Sequence, residues 1–145
     1  MLIRINEASE KPLYQQLHDQ IVEGIATGQL SSGEKLPSVR SLANDLGINL
    51  HTVNKAYAVL RDEGYVTMRG RAGATIVEPG QNQGVRVQIE DERMDAALFQ
   101  LALAFRARGG GEDDFLAHAG RQAKKAYESA HAAPLPAITT APHSD

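Results

Sequence analysis

The chain alternates between two hydrophobic periods. Leu13, Leu17, Ile21 and Ile25 recur every four residues, which predicts a long amphipathic helix running to about Thr27. Pro12 suits its first turn and Gly28 ends it. Val39, Leu42, Ala43 and Leu46 repeat at helical spacing and predict a second, shorter helix, with Ser38 as its N-cap and Gly47 at its end. Asn49 opens a third helix, on which Val53, Ala56, Tyr57 and Leu60 share one face. Small Ala43 lets these two helices approach, and Gly47 makes the corner between them. After Gly64 the period drops to two. Tyr65–Met68 and Ala74–Val77 flank a Gly/Arg tip and read as a two-stranded hairpin. Short helix, tight turn, helix and hairpin make a winged helix-turn-helix, which presents its second helix to a DNA major groove. Leu2–Ile5 can pair as an edge strand.

Beyond Val77 the pattern changes. Residues 79–87 hold turn formers and read as a linker. A helical segment is predicted over 88–130. Asp91, Glu92 and Asp95 crowd its expected first turn, where carboxylates favour the helix dipole. Met94, Leu98, Leu101 and Phe105 then form an apolar seam, and Phe99 and Leu103 widen it beyond what a solvent-facing helix needs. Gly109-Gly110-Gly111 stops that helix, and Glu112-Asp113-Asp114 opens another through Phe115, Leu116, Ala119, Ala123 and Tyr127. Two helices of this size cannot bury their faces alone. Residues 88–130 are therefore expected to form a dimerisation segment, with Met94, Leu98, Leu101, Phe105 and Phe115 at the interface; packing onto the first helix is the alternative. Residues 131–145 hold three prolines and no period, and are expected to be a disordered tail. The fold class is mainly α with a small β-wing.

Composition narrows the chemistry. At 145 residues there is room for one proper core and a small satellite, with no large catalytic domain. There is no cysteine, hence no disulfide, thiolate metal site or Cys nucleophile. No apolar run approaches the roughly 20 residues that span a bilayer, and no signal peptide is evident, so a cytoplasmic protein is expected. No GxGxxG, Walker-type or HExxH motif occurs. Neither a cofactor nor a metal is expected; Asp114 and His118, one turn apart, read as a solvent-facing pair. His18 and Asp19 likewise read as a solvated polar face. The net charge of −3 argues against a generic nucleic-acid coat, but its placement matters more. Residues 34–78 carry six basic side chains against five acidic ones, and Arg40, Lys55, Arg69 and Arg71 fall on the elements that would face DNA.

Those elements supply the candidate site. Ser38, at the start of the second helix, offers hydroxyl and amide donors to a phosphate. Arg40 carries the fork that matches guanine O6 and N7; an ion pair with Asp45 or Asp62 is the structural alternative. Leu50, His51, Thr52, Asn54 and Lys55 occupy the groove-entering end of the third helix. Thr52 and Lys55 suit phosphates, His51 and Asn54 base edges, and Leu50 a thymine methyl. A winged helix used only for protein contacts is the rival reading, and the basic residues on the helix and wing favour DNA over it.

The run PLYQQLHDQIVEGIATGQLSSGEKLPSVRSLANDLGINLHTVNKAYAVLRDEGYV carries Gly28-Gln29-Leu30 with Gly33, Leu36-Pro37-Ser38-x-Arg40, Leu42-Ala43, Leu46-Gly47, Thr52-Val53, Ala56-Tyr57, Leu60 and Gly64. Over residues 2–78 it resembles the DNA-binding domain of the GntR family of bacterial transcription regulators. The short remainder resembles the YtrA-type branch, whose members add only a small helical dimerisation segment. The resemblance implies a homodimeric DNA-binding regulator without enzymatic activity, expected to repress through an inverted-repeat operator and to control a transporter operon. It also implies that Arg40, counterpart of the family's LPSxR arginine, reaches DNA. A small-molecule effector has space between the helices of residues 90–130, or the protein works without one. Two departures stand out. Leu50, His51 and Asn54 replace the proline, asparagine and serine frequent in the subfamily, so family operators do not transfer. In the wing, Arg69-Gly70-Arg71 puts an arginine where glycine is usual, and Arg71 either enters the minor groove or grips phosphate.

Overall fold

The computed structural model describes residues 2–68, 70, 73–78, 85–128 and 139–140. The chain divides into two units, residues 1–81 with 131–145, and residues 82–130.

In the first unit the helices fall where the periodicity puts them. Helix α1 spans Leu13–Ala26, α2 Val39–Leu46 and α3 Leu50–Asp62. Ser38 caps α2, its Oγ accepting from the Ser41 amide at 3.1 Å. Asn49 caps α3 through the His51 amide at 2.8 Å. Between them Gly47 takes a left-handed φ of 66°, and the Ile48 amide closes on the Ala43 carbonyl at 3.1 Å. The three helices bury Leu17, Ile21, Leu42, Leu46, Val53, Ala56, Tyr57 and Leu60 in one core. A methyl-sized void costs there because packing is dense. The wing is an antiparallel pair, β2 (Val66–Met68) and β3 (Ala74–Ile76), joined in the register Val66↔Ile76 and Met68↔Ala74. Inward-facing Val66, Ala74 and Ile76 close the core from that side.

Residues 33–36 add what the periodicity does not reveal. The Gly33 amide donates to Ile76 O (2.9 Å), the Ile76 amide to Glu34 O (2.9 Å) and the Leu36 amide to Ala74 O (2.8 Å). The segment entering α2 is therefore a third strand-like edge on β3. It ties the wing to the start of α2.

The N-terminal arm is held by two glutamines one turn apart on α1. Gln16 accepts from the Asn6 amide at 2.9 Å and donates to the carbonyls of Asn6 (3.0 Å) and Lys11 (2.8 Å). Gln20 accepts from the Arg4 amide (2.9 Å) and donates to the Arg4 carbonyl (2.7 Å). Each carboxamide thus stands in for a neighbouring strand, and the alternate side chains Ile3 and Ile5 turn into the core. Leu2–Ile3 form β1, parallel to β4 at Thr139–Thr140. That pairing departs from the expectation of a disordered tail for these two residues; the rest of 131–145 lies outside the described residues.

In the second unit α4 runs over Val85–Ala107 and α5 over Glu112–Glu128. Two expectations are corrected here. Helix α4 begins inside the stretch assigned to the linker, of which residues 79–84 lie outside the described residues. Asp91, Glu92 and Asp95 therefore sit in the second and third turns, and no acidic residue occupies the first. No proline or glycine separates Val85 from the helical run, so helix propagates back to it at little cost. The acidic first turn belongs to α5 instead, with Glu112, Asp113 and Asp114. At the elbow Gly109 has φ 93°, and a Cβ on Gly110 would run into the Phe105 ring. A larger residue there would displace the Phe105 ring.

Candidate nucleic-acid interface

Helix α3 has two faces. Val53, Ala56, Tyr57 and Leu60 are buried, while Leu50, His51, Asn54 and Lys55 are exposed and Thr52 is half-buried. The capping of Asn49 fixes where the exposed face begins. Leu50 is 40% exposed at the first position, apolar yet turned to solvent. Ser38 and Arg40 are exposed at the start of α2. Among the described residues Arg40 makes no ion pair; Asp62 is met by the adjacent Arg61 at 3.2 Å, so the alternative pairing is not adopted.

The two helices are locked together behind this surface. The Tyr57 hydroxyl donates to the Pro37 carbonyl at 2.8 Å, linking the buried side of α3 to the residue before the α2 cap. Burial pushes the Tyr57 phenol up, so it remains a donor at any ordinary pH. Gly73, with φ 89°, sits against the backbone of the same segment. A Cβ there would lie 3.4 Å from Leu36 O and 3.8 Å from Ser38 Cα. The wing base, the α2 cap and the reading helix thus form one rigid corner. Gly70 is exposed in the wing tip with φ 55°. Arg69 and Arg71, the expected wing contacts, lie outside the described residues.

Two contacts escaped the sequence reading. Lys55 Nζ lies 4.0 Å over the ring centroid of Tyr14 on α1. His18, read as solvated, is instead mostly covered and bridges two carboxylates: Asp19 Oδ1 at 2.8 Å and Glu63 Oε2 at 2.6 Å, the latter at the C-cap of α3. Its ring also meets Tyr65 edge-on. Burial disfavours the charged imidazole, but the hydrogen bonds to Glu63 and Asp19 and their charge outweigh it and raise the His18 pKa above 6.5. Asp19 also pairs with Lys11, and despite burial these two cationic partners hold its carboxyl below the usual range. The signal for this bridge was absent from the chain because His18 and Glu63 are 45 residues apart.

The second unit contrasts with this. Met94, Leu98 and Leu101 are exposed, Leu101 by 61%, and Phe99 and Leu103 are exposed as well. Phe105 and Phe115 are half-buried against each other, with centroids 6.0 Å apart. His118 meets Phe105 edge-on at 5.7 Å, and its Nδ1 accepts from Arg121 at 3.0 Å. Among the described residues no group of His, Asp or Glu fits a metal ion, and no helix is long and apolar enough to cross a membrane.

A reading helix with a solvent-facing N-terminal half, held by a capped partner helix and a wing, defines a winged-helix DNA-binding transcription regulator. The profile described as bacterial regulatory proteins, gntR family, matches residues 13–76. The HTH-type transcriptional repressor YtrA of Bacillus subtilis is 38% identical over 103 residues, 66% of this chain and 78% of that protein. The HTH-type transcriptional regulator Rv1152 of Mycobacterium tuberculosis is 40% identical over 74 residues, and the match spans 51% of this chain and 61% of that regulator. Among solved structures, YtrA from Sulfolobus acidocaldarius, a GntR-family transcription factor, superposes with a TM-score of 0.57 at 34% identity, over 85% of this chain and 97% of that one. The chain belongs to the GntR family, in its YtrA-type subfamily, a family of non-enzymatic DNA-binding regulators.

Proposed function

We propose that the protein is a homodimeric repressor acting in the cytoplasm on an inverted-repeat operator, with α3 of each protomer in a major groove. The observation that carries this reading is the exposed face of α3, where Leu50, His51, Asn54 and Lys55 stand in solvent over a fully buried opposite face. In it Arg40 reads a guanine, His51 and Asn54 read base edges, and Ser38 and Thr52 hold phosphates. The seam of Met94, Leu98 and Leu101, exposed in a single protomer, supports a second copy as its cover. A cavity of about 540 Å³ at the α4–α5 elbow, lined by Phe99, Leu103, Phe105, Arg106, Glu112 and Phe115, is the place for a small-molecule effector. Control of a transporter operon follows the subfamily and rests on resemblance alone. In the wing, Arg71 inserts into a narrow minor groove, so its replacement by Ala shrinks the advantage of A·T-rich flanks.

Genomic footprinting at physiological salt tests the core of the proposal. Protected sites are expected as inverted repeats with half-site centres about 34 Å apart, one helical turn, or a multiple of it. Protection without two-fold symmetry, or only at single half-sites, would overturn the dimeric operator.

A further inference from the structure

Tyr14 and Lys55 come from different helices and meet at the edge of the reading face. Tyr14 lies in the first turn of α1, half-buried, and Lys55 in the second turn of α3, exposed. The ammonium stands 4.0 Å over the ring centroid. A neutral ring holds a cation in place without cancelling its charge. Among the described residues no carboxylate pairs with Lys55. Tyr57 spends its hydroxyl on Pro37 O. Among the described residues the Tyr14 hydroxyl has no hydrogen-bond partner, although the ring is packed against the core cluster.

One edge of the interface therefore carries a fixed ammonium and a phenolic O–H, both donors and neither satisfied by an acceptor among the described residues. A DNA phosphate, with two unesterified oxygens, accepts from both. We propose that Tyr14 is itself a ligand for a backbone phosphate and also the positioning residue for Lys55, so that α1 grips the DNA backbone beside α3. This rests on the reading that α3 enters the major groove. It also changes the role of Lys55, which becomes a pre-placed cation rather than a freely sampling one. A seated lysine surrenders less rotamer freedom when the phosphate arrives.

Because phosphate contacts carry no sequence information, the test needs no known operator. Binding of the full chain to a fluorescein-labelled duplex of arbitrary sequence is followed by anisotropy over a series of NaCl concentrations. Lys55→Ala should weaken binding and reduce the slope of log K against log salt by about 0.9 per protomer. Tyr14→Phe keeps the ring and removes only the O–H, so affinity should fall roughly ten- to a hundredfold, as for loss of one hydrogen bond to a charged acceptor, with the salt slope unchanged because the lost donor is neutral. Tyr14→Leu removes the seat as well. In that background Lys55→Ala should cost measurably less than in wild type, whereas in the Tyr14→Phe background it should cost the same. Wild-type affinity in Tyr14→Phe overturns the phosphate contact. Equal cost of Lys55→Ala in the wild-type and Tyr14→Leu backgrounds overturns the seat. If Tyr14→Leu does not fold, Tyr14→Phe alone still decides the hydroxyl's role. If the wild-type protein binds no duplex at any salt concentration, the reading of α3 falls, and this proposal falls with it.

Discussion

Residues 13–76 and residues 85–128 have similar shares of apolar side chains put to opposite uses. In the first stretch Leu17, Ile21, Leu42, Val53, Tyr57 and Leu60 are fully buried against one another. In the second, α5 buries no residue, and α4 leaves Ile89, Met94, Leu98, Phe99, Leu101 and Leu103 in solvent. Helices of three segments and a hairpin enclose a core from all sides. Two helices joined by an elbow present their apolar faces outward, and burial at about 25 cal/mol per Å² is gained only when another surface arrives. The first unit thus encloses its own core, whereas the second leaves its apolar faces uncovered within a single chain.

The sharpest way to break that contrast is to replace one leucine in each unit. Leu60→Ala should cost about 2–5 kcal/mol in urea unfolding at any protein concentration, because the void it leaves is enclosed. Leu101→Asp should act differently. It strands an unpaired charge in the seam and converts dimer to monomer by sedimentation velocity, while the melting of the first unit shifts little. A dimer of unchanged strength would move the interface elsewhere, to the first helix as the next candidate. Within the first unit, Arg40→Ala should weaken specific binding by on the order of 1–3 kcal/mol and relax preference at one base pair, without altering stability; binding within about twofold of wild type would remove Arg40 as a base reader. Tyr57→Phe should do the reverse, costing about 0.5–1.5 kcal/mol of stability by leaving the Pro37 carbonyl without its donor.

The smallest effect is one of pH. His18 has a raised folded pKa, so the stability it contributes is complete below its ordinary 6.5 and is lost as pH rises through the folded value. Asp19 has a lowered one, so its contribution is present above 3.8 and lost as pH falls. Melting temperature should therefore peak between these limits, and His18→Gln should flatten the alkaline side and, by removing one of Asp19's two cationic partners, weaken the acid side as well. A slope unchanged in that variant would assign it to another group.

These contrasts also show where the chain is legible. The Leu13-to-Ile25 repeat, Ser38, Gly47, Asn49 and Gly64 act within one or two turns of themselves, and helix bounds and the wing followed from them. The exposed face of α3 was readable because burial of Val53, Ala56, Tyr57 and Leu60 leaves its other side outside. Reading failed at the start of α4, where acidic residues suggested a first turn that lay further back, and at His18, whose polar character suggested solvent.

What the sequence by itself determined is the set of local decisions: which stretches coil at period 3.6, where glycine allows the chain to turn, which face of each helix must be covered. What only the tertiary structure decided is which distant groups meet. The edge formed by residues 33–36 on β3, the glutamine clamps on Arg4 and Asn6, His18 against Glu63, Lys55 over Tyr14 and Phe105 over Gly110 all depend on helix crossing, strand register or the bend of an elbow. Side chains of ordinary polarity give no sign of such partners along the chain. Their pairing is set by packing of the apolar faces, which brings polar groups together as a consequence of burying everything around them.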